Sequence, residues 1–409
     1  MQTLTFKRGV HPPDGKALTK DIPIKVILPK ENSELLFPMS QHIGAPCEPC
    51  VQKGDYVKVG QKIGEATGFV SSPIFSSVSG EVVDIRPMLV PLGVKSLAVV
   101  IKNDGKMEEY EGMQPRDYTK MTNDEILTAV KEGGVVGMGG AGFPTHVKLA
   151  PPPGTKIDYV LVNAAECEPY LTCDYRLMLE QSDKLIEGLK IVLKLHPNAK
   201  GVIGIEDNKP EAIKLLSEKV KDIPNIEVVS LLKKFPQGSE KHLIYAITKR
   251  EVPSGALPSA VGCIVDNVDT VISIYNAVCE STPLIRKIIT VTGDAVKNPQ
   301  NFQVPLGMCY REILEAAGGF KEEPEKMISG GPMMGFSMFS LDVPVTKTSS
   351  SILGFTKDEV AKMEPSACIN CGRCVEACPS RLIPSRLADY AEHHDEEKFT
   401  KHEGLECME

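Results

Sequence analysis

The sequence predicts a multidomain α/β protein: an all-β unit first, an α/β unit with a mostly parallel sheet, a small β-grasp unit, and a helical, cysteine-rich end. Three observations predict this. Between Gln41 and Lys102, apolar and polar residues alternate at period two between glycine turns. From Thr122 onward, apolar strand-length runs alternate with amphipathic helical stretches. Near the end, Cys368, Cys371, Cys374 and Cys378 crowd into eleven residues, a clustering that points to metal.

Residues 1–38 read as an extended arm rich in Pro, Gly and Lys, with one strand at Ile24–Leu28. Residues 39–115 form the all-β unit, in which Lys53–Gly64 alternates apolar and polar residues and Val78–Ile85 repeats the pattern. Residues 116–285 form the α/β unit. It opens with a helix over 122–132, where Thr122 and Glu125 match a capping box and Ile126, Leu127 and Val130 follow at helical spacing. Strands follow at Ile157–Val162, Gly201–Ile205 and Ile226–Leu231, with one long helix over Leu177–Leu195 and another over Pro210–Val220. Residues 286–345 read as strand, hairpin, helix (Tyr310–Ala317) and strand, the order of a β-grasp unit. Residues 346–409 carry the cysteines; His393–Glu403 reads as a solvated connector.

Composition narrows the function. The net charge is −8 and no long basic block occurs, which excludes nucleic acid as the expected partner. No stretch approaches the roughly 18 apolar residues of a membrane span, and the first residues lack the apolar core of a signal peptide. Twelve cysteines in a chain expected in a reducing compartment are not a disulfide framework.

Cys368, Cys371, Cys374, Cys378 and Pro379 follow C-x2-C-x2-C-x3-C-P, the bacterial run for a [4Fe–4S] cluster. Three thiolates on a tight turn reach three corners of one cubane. The fourth, from the following helical turn, points to a neighbouring cluster. The expected ligands are therefore Cys368, Cys371 and Cys374 for a first cluster, and Cys378 with Cys407 for a second. Cys407 is how another C-x2-C would begin, so the remaining ligands are expected beyond residue 409.

Gly137, Gly139 and Gly142 match the G-x-G-x-x-G of dinucleotide folds. A Rossmann turn needs a strand before the glycines and a helix after them. Here a capped helix precedes and Phe143-Pro144 follows, so that reading fails on context. What remains is a loop whose backbone can approach a phosphate or a planar ring. Taken singly, Lys148 reads as a surface lysine, and Glu166 and Glu168 as loop charges. Their place after an apolar strand, with the glycine loop upstream, groups them as a site.

Extended in this way, the stretch resembles a known family. "G-x-G-G-A-G-F-P-T", a following lysine and "V-N-x-x-E-x-E-P" resemble the flavin and NADH site of the flavoprotein subunit of respiratory complex I. The early stretch resembles the barrel-sandwich fold of lipoyl domains, through Gly54-Asp55, Val57, Gly60 and Ser79-Gly80. Its segment Phe69–Phe75 lacks the swinging lysine, so a scaffold is implied. "F-K-R-G-V-H-P-P" (6–13), "Q-H-I-G-A-P" (41–46), "P-Q-G-S-E-K" (236–241) and "G-G-P-M-M-G" (330–335) resemble the C subunits of Rnf complexes, the ion-translocating ferredoxin:NAD oxidoreductases.

That resemblance implies a barrel-sandwich hybrid, an FMN/NADH domain, a β-grasp domain and a two-cluster ferredoxin-like unit. It implies FMN contacts at Gly137, Gly139, Lys148, Asn163, Glu166, Gly238, Glu240, Asn267 and Thr270. For NADH it implies Gly140, Phe143 and Glu168, with Phe143 on the adenine and Glu168 at the ribose. It implies a peripheral subunit on the cytoplasmic face of the membrane, partnered by other Rnf subunits that include a ferredoxin-like iron–sulfur protein. Two departures stand out: Met138 replaces an expected arginine, and Ala165 an expected acid. Two alternatives stay open on sequence. One is the flavoprotein subunit of a bifurcating hydrogenase; the other is a docking and electron-wire subunit whose flavin site is vestigial.

Overall fold

In a computed structural model, which describes residues 2–407, the period-two stretch forms two small facing antiparallel sheets. One orders Glu34–Pro38, Lys95–Asn103, Gly80–Leu89 and Tyr56–Val57; the other Glu48–Pro49, Lys62–Glu65 and Ile74–Phe75. Leu35, Phe37, Val57, Ile63, Ile74, Val82, Val99 and Ile101 are fully buried in their shared core. Gly80 is required there, because a Cβ would lie 2.0 Å from the Lys102 carbonyl oxygen.

The α/β unit is a five-stranded parallel sheet, ordered Thr3–Leu4, Ile226–Leu231, Lys200–Glu206, Tyr159–Ala164 and Cys263–Asn267. Helix Asn123–Glu132 precedes it with the expected capping box: Thr122 N donates to Glu125 Oε2 at 2.7 Å. The long helix expected over Leu177–Leu195 is instead two, Cys173–Glu180 and Ser182–Leu195, broken at Gln181. The break lets the first pack on helix Pro210–Val220 and the second on helix Val268–Cys279.

The β-grasp unit is a six-stranded sheet, and its membership corrects two expected boundaries. Ser351–Phe355 lies in its middle, between Lys326–Ser329 and Arg286–Thr292. The apolar run Ile352–Gly354 is buried, so it belongs to this sheet and not to the cysteine-rich end. The arm is likewise no independent segment: Thr3–Leu4 completes the parallel sheet and Lys25–Val26 the β-grasp sheet. The barrel and the β-grasp unit share one core, and Val136 and Met138 are embedded in it.

The final segment holds helices Arg373–Ala377, Pro384–Glu392 and Glu396–Lys401. The last falls where a connector was expected; Asp395 caps it by accepting from Lys398 N at 3.0 Å. Met408 and Glu409, which would sit in the second cysteine motif, lie outside the described residues. Among the described residues, no helix is long and apolar enough to cross a membrane.

Candidate functional site

The carboxyl ends of Tyr159–Ala164 and Cys263–Asn267 mark the point where successive connections leave toward opposite edges of the sheet. Open parallel sheets place their ligand crevice at such a switch point. A cleft of about 990 Å³ opens here. It brings together Gly137, Gly139, Gly140, Phe143, Lys148, Asn163, Glu166, Glu168, Gly238, Glu240 and Asn267. Thr270 stands behind the wall, its hydroxyl accepting from Met138 N at 2.9 Å.

The glycine loop forms one wall. Gly137 N donates to Phe143 O at 2.9 Å, and Val136 bridges Pro144, which closes 137–143 into a ring. The Met138–Thr270 bond pins that ring to the start of helix Val268–Cys279, which Asn267 caps by accepting from Asp269 N at 2.8 Å. Among the described residues, the amides of Gly139, Gly140 and Ala141 donate to no protein group. A Cβ at Gly140 would meet nothing within 4 Å. Gly140→Ala is therefore expected to fold with an unchanged unfolding midpoint while its methyl narrows the cleft. For the NADH that the sequence resemblance implies, steady-state kinetics should show KM raised about 10-fold or more; unchanged kinetics would remove Gly140 from the site.

Lys148 Nζ donates to Val265 O at 2.7 Å and lies 3.4 Å from Glu240 Oε1 and 3.7 Å from Asp266 Oδ1. Burial opposes its charge, but Asp266 and Glu240 outweigh burial and raise its pKa. Burial pushes the Asp266 carboxyl up to about 6, against the pull of Lys148. Asn163 Nδ2 donates to Gly238 O at 2.6 Å, tying the second loop to the strand end. Gly238 N reaches Cys167 Sγ at 3.3 Å, and burial pushes that thiol up to about 12.

Glu166 has φ 48°, in the left-handed region. Its Oε1 accepts from Asp174 N at 2.7 Å; its Oε2 is buried without a hydrogen-bond partner, 3.7 Å from Lys16 Nζ. The resemblance implies Glu168 at the NADH ribose, and the fold engages it with backbone amides. Its oxygens accept from Met333 N at 3.0 Å and Met334 N at 2.8 Å. The turn Gly330–Gly335 thus reaches the cleft from the β-grasp unit, and a Cβ on Gly331 would lie 2.1 Å from Glu168 Oε2. Each oxygen keeps acceptor capacity for a further donor, such as a ribose hydroxyl.

Met138 and Ala165 are both buried, Met138 where the shared core borders the cleft. Met138 packs in the shared core, and Ala165 is fully buried, its carbonyl accepting from Lys209 Nζ at 2.6 Å.

Several site residues carry no local signal in the sequence. Lys16 comes from the arm, and Thr346, Thr348, Ser349 and Ser350 line the cleft from the β-grasp unit. Asp174 lines it too, its Oδ2 accepting from Asn267 Nδ2 at 2.7 Å. Burial, reinforced by Glu166 and offset by Lys287, pushes the Asp174 carboxyl up to about 7. Its folded pKa lies above the unfolded value, so the folded state binds the extra proton. Stability should therefore fall as pH rises from about 4 to about 7 and level off above. Asp174→Asn is expected to flatten this slope and stabilise the protein at pH 8 by on the order of 1–3 kcal/mol. Urea unfolding at pH 5 and pH 8 checks it, and an equal slope in both proteins refutes it.

The cysteines lie on a turn and a short helix. Asn370 and Gly372, between the first three, take left-handed φ of 55° and 77°, and Asn370 N donates to Cys368 Sγ at 3.4 Å. Amide bonds to cysteine sulfur are among the contacts that set iron–sulfur potentials. Cys368, Cys371, Cys374 and Cys407 are exposed, Cys378 is half-buried, and none of the five is in a disulfide. Among the described residues, no three His, Cys, Asp or Glu side chains gather around a single ion. A cubane takes one thiolate at each iron corner, so its ligands stand apart. The glycine-turn spacing suits such a cluster.

The cleft also suits FMN. Ring N–H and ribityl hydroxyl donors match Glu166 Oε2, which accepts no hydrogen bond from the protein, while the open loop amides and Lys148 suit a phosphate. A flavin-type α/β domain joined to a barrel, a β-grasp unit and a cysteine-rich segment defines the class: a flavin and iron–sulfur electron-transfer subunit. Family models agree. A Nuo51 FMN-binding domain matches residues 130–276, an RnfC barrel sandwich hybrid domain 4–106, an SLBB domain 288–337, and a 4Fe-4S binding domain 360–383. The C subunit of the proton-translocating ferredoxin:NAD(+) oxidoreductase complex of Clostridium ljungdahlii is 49% identical, over 94% of this chain and 84% of its own length. The C subunit of the Na(+)-translocating ferredoxin:NAD(+) oxidoreductase complex of Acetobacterium woodii is 46% identical, over 95% and 88%. An NAD+-reducing [NiFe]-hydrogenase in the air-oxidized state shares the fold, at TM-score 0.51 and 22% identity over 58% of this chain and 48% of that one. The chain belongs to the family of C subunits of Rnf ferredoxin:NAD+ oxidoreductase complexes.

Proposed function

We propose that this chain is the NAD(H)-reacting, FMN- and iron–sulfur-carrying peripheral subunit of a membrane ferredoxin:NAD+ oxidoreductase. It carries two [4Fe–4S] clusters and sits on the cytoplasmic face beside a ferredoxin-like partner subunit. The observation that carries this reading is the cleft at the sheet's switch point, in which the glycine loop, Lys148, Asn163 and Glu166 converge. Bound there, FMN supplies the exchange between hydride transfer and one-electron transfer.

The chain's residues bind and orient. Gly139, Gly140 and Ala141 offer backbone donors at an unobstructed approach, and Lys148, kept charged by Asp266 and Glu240, offers a cation. Asn163 and Gly238 fix the opposite loop, and Glu166 offers a buried acceptor. Phe143 and Gly140 line the side open to the nicotinamide nucleotide, and Glu168, which the Met333 and Met334 amides hold in place, faces its ribose. Cys368, Cys371 and Cys374 hold one cluster; Cys378 and Cys407 belong to the other.

A second reading has one observation behind it. With Glu168 engaged by Met333 and Met334, the cleft could serve flavin alone, with no entry for NADH. Anaerobic purification of the full chain separates the two. About one FMN per chain, bleached by NADH, supports the proposal. Flavin that NADH leaves oxidised supports the second reading, and clusters without flavin overturn both.

A further inference from the structure

Five acidic residues line the cleft: Glu166, Glu168, Asp174, Glu240 and Asp269. Four of them are held by a cation or by backbone N–H groups. Asp269 pairs with Arg286 at 2.9 Å and with Lys287 at 3.0 Å, and Glu240 with Lys148 at 3.4 Å. Glu168 accepts from the Met333 and Met334 amides. Glu166 accepts from Asp174 N at 2.7 Å and lies 3.7 Å from Lys16 Nζ. Asp174 is the exception. Among the described residues its carboxyl meets one donor, the neutral amide of Asn267 at 2.7 Å from Oδ2, while Oδ1 accepts from no protein group.

The titratable groups facing Asp174 come from each element packed against it. They are Glu166 from the preceding loop, Cys173 from its own helix, Asp269 from helix Val268–Cys279 and Lys287 from strand Arg286–Thr292. Two of the three charges among them are negative, and Lys287 is already engaged by Asp269. A carboxyl placed in this way binds a proton more readily than neighbours that a cation holds. Burial, with Glu166 and Asp269 adding to it and Lys287 opposing, pushes Asp174 up to about 7.

We propose that Asp174 is the proton-holding residue of the cleft, taking up a proton as electrons enter and returning it as they leave. This rests on the FMN reading above. Hydride carries two electrons and one proton away from the C4 carbon of a dihydronicotinamide, which is oxidised, and adds one negative charge to the cleft. A proton from water, bound by the Asp174 carboxylate, cancels that charge. When the electrons leave singly, the proton that came with the hydride and the one on Asp174 both return to water. The cause is Coulombic. A negative charge added inside a low-dielectric cleft raises the proton affinity of the carboxylate that no cation holds.

The test uses the full chain loaded with FMN and reduced anaerobically with dithionite, so that it does not depend on NADH binding. A potentiometric titration followed by flavin absorbance, repeated across pH, counts the protons bound per electron pair. At pH 8, above the titration of Asp174, the wild-type protein is expected to take up about two protons per electron pair and Asp174→Asn about one. At pH 5.5 the carboxyl already holds its proton, so the two proteins should take up equal numbers. A purely structural role would not produce that pH profile, and equal counts at pH 8 overturn the proposal. A second readout does not require Asp174→Asn to retain flavin. The reduced-minus-oxidised infrared spectrum of the wild-type protein at pH 8 should gain a protonated-carboxyl band, and that band should move in Asp174→Glu. A wild-type spectrum without the band, or a band unmoved in Asp174→Glu, overturns the proposal while leaving the FMN reading in place. A wild-type chain that binds no FMN overturns that reading, and the proposal with it.

Discussion

Lys16→Met is expected to destabilise the protein by about 3–5 kcal/mol, the range for removing one partner of a buried ion pair. Lys16 is buried, and its Nζ donates to Glu166 O at 3.0 Å, to Glu168 O at 2.9 Å and to Leu171 O. Glu166 Oε2 stands 3.7 Å away. The ammonium thus holds the loop that carries two of the site's carboxylates. That loop also contains Tyr170 at φ 70°, whose N donates to Asp14 O at 2.7 Å. Without Lys16, three buried carbonyls lose their donor and Glu166 loses its nearest cation. Burial lowers the pKa of Lys16, with Glu166 opposing that shift, so holding this charge in place already costs something. The loop's geometry depends on it nonetheless. Urea unfolding gives the stability change, and flavin retention after gel filtration should fall in parallel. A loss under about 1 kcal/mol would show that the loop is set by its other contacts.

Lys148→Met is expected to weaken FMN binding about 10–100-fold, the scale of one charge-assisted hydrogen bond, while the fold survives. Asp266 is the reason for survival. Its carboxyl titrates at about 6 even beside Lys148. Once the ammonium is gone, the acid takes up a proton in place of remaining a buried charge. Fluorescence titration of the flavin-free protein with FMN measures the effect. Lys148→Arg should bind with intermediate affinity, and an unchanged Kd in Lys148→Met would take Lys148 out of the phosphate's reach.

Features that depend on short spacing were legible in the sequence. The capping box at Thr122 and Glu125, helix Pro210–Val220 and strand Ile226–Leu231 stand as their patterns require. The separation of the glycine loop from a Rossmann turn was legible too, because that distinction needs only the order of neighbouring elements. The break at Gln181 was not, since it answers to two different packing partners. The place of Ser351–Phe355 was not either: a five-residue apolar run reads the same beside any sheet.

The site divides along the same line. The sequence by itself determined which residue types were present and in what order: four cysteines at cluster spacing, a glycine loop with a lysine after it, and a strand ending in Asn163 and Glu166. Only the tertiary structure decided how those groups are engaged. It engaged Glu168 with the amides of Met333 and Met334, buried Met138 and Ala165, and brought Lys16 from the arm to the loop that carries Glu166 and Glu168. The physical reason is range. Spacing along the chain fixes interactions within a turn or a helix, whereas a buried charge or an open amide finds its partner wherever folding brings one, here more than 150 residues away.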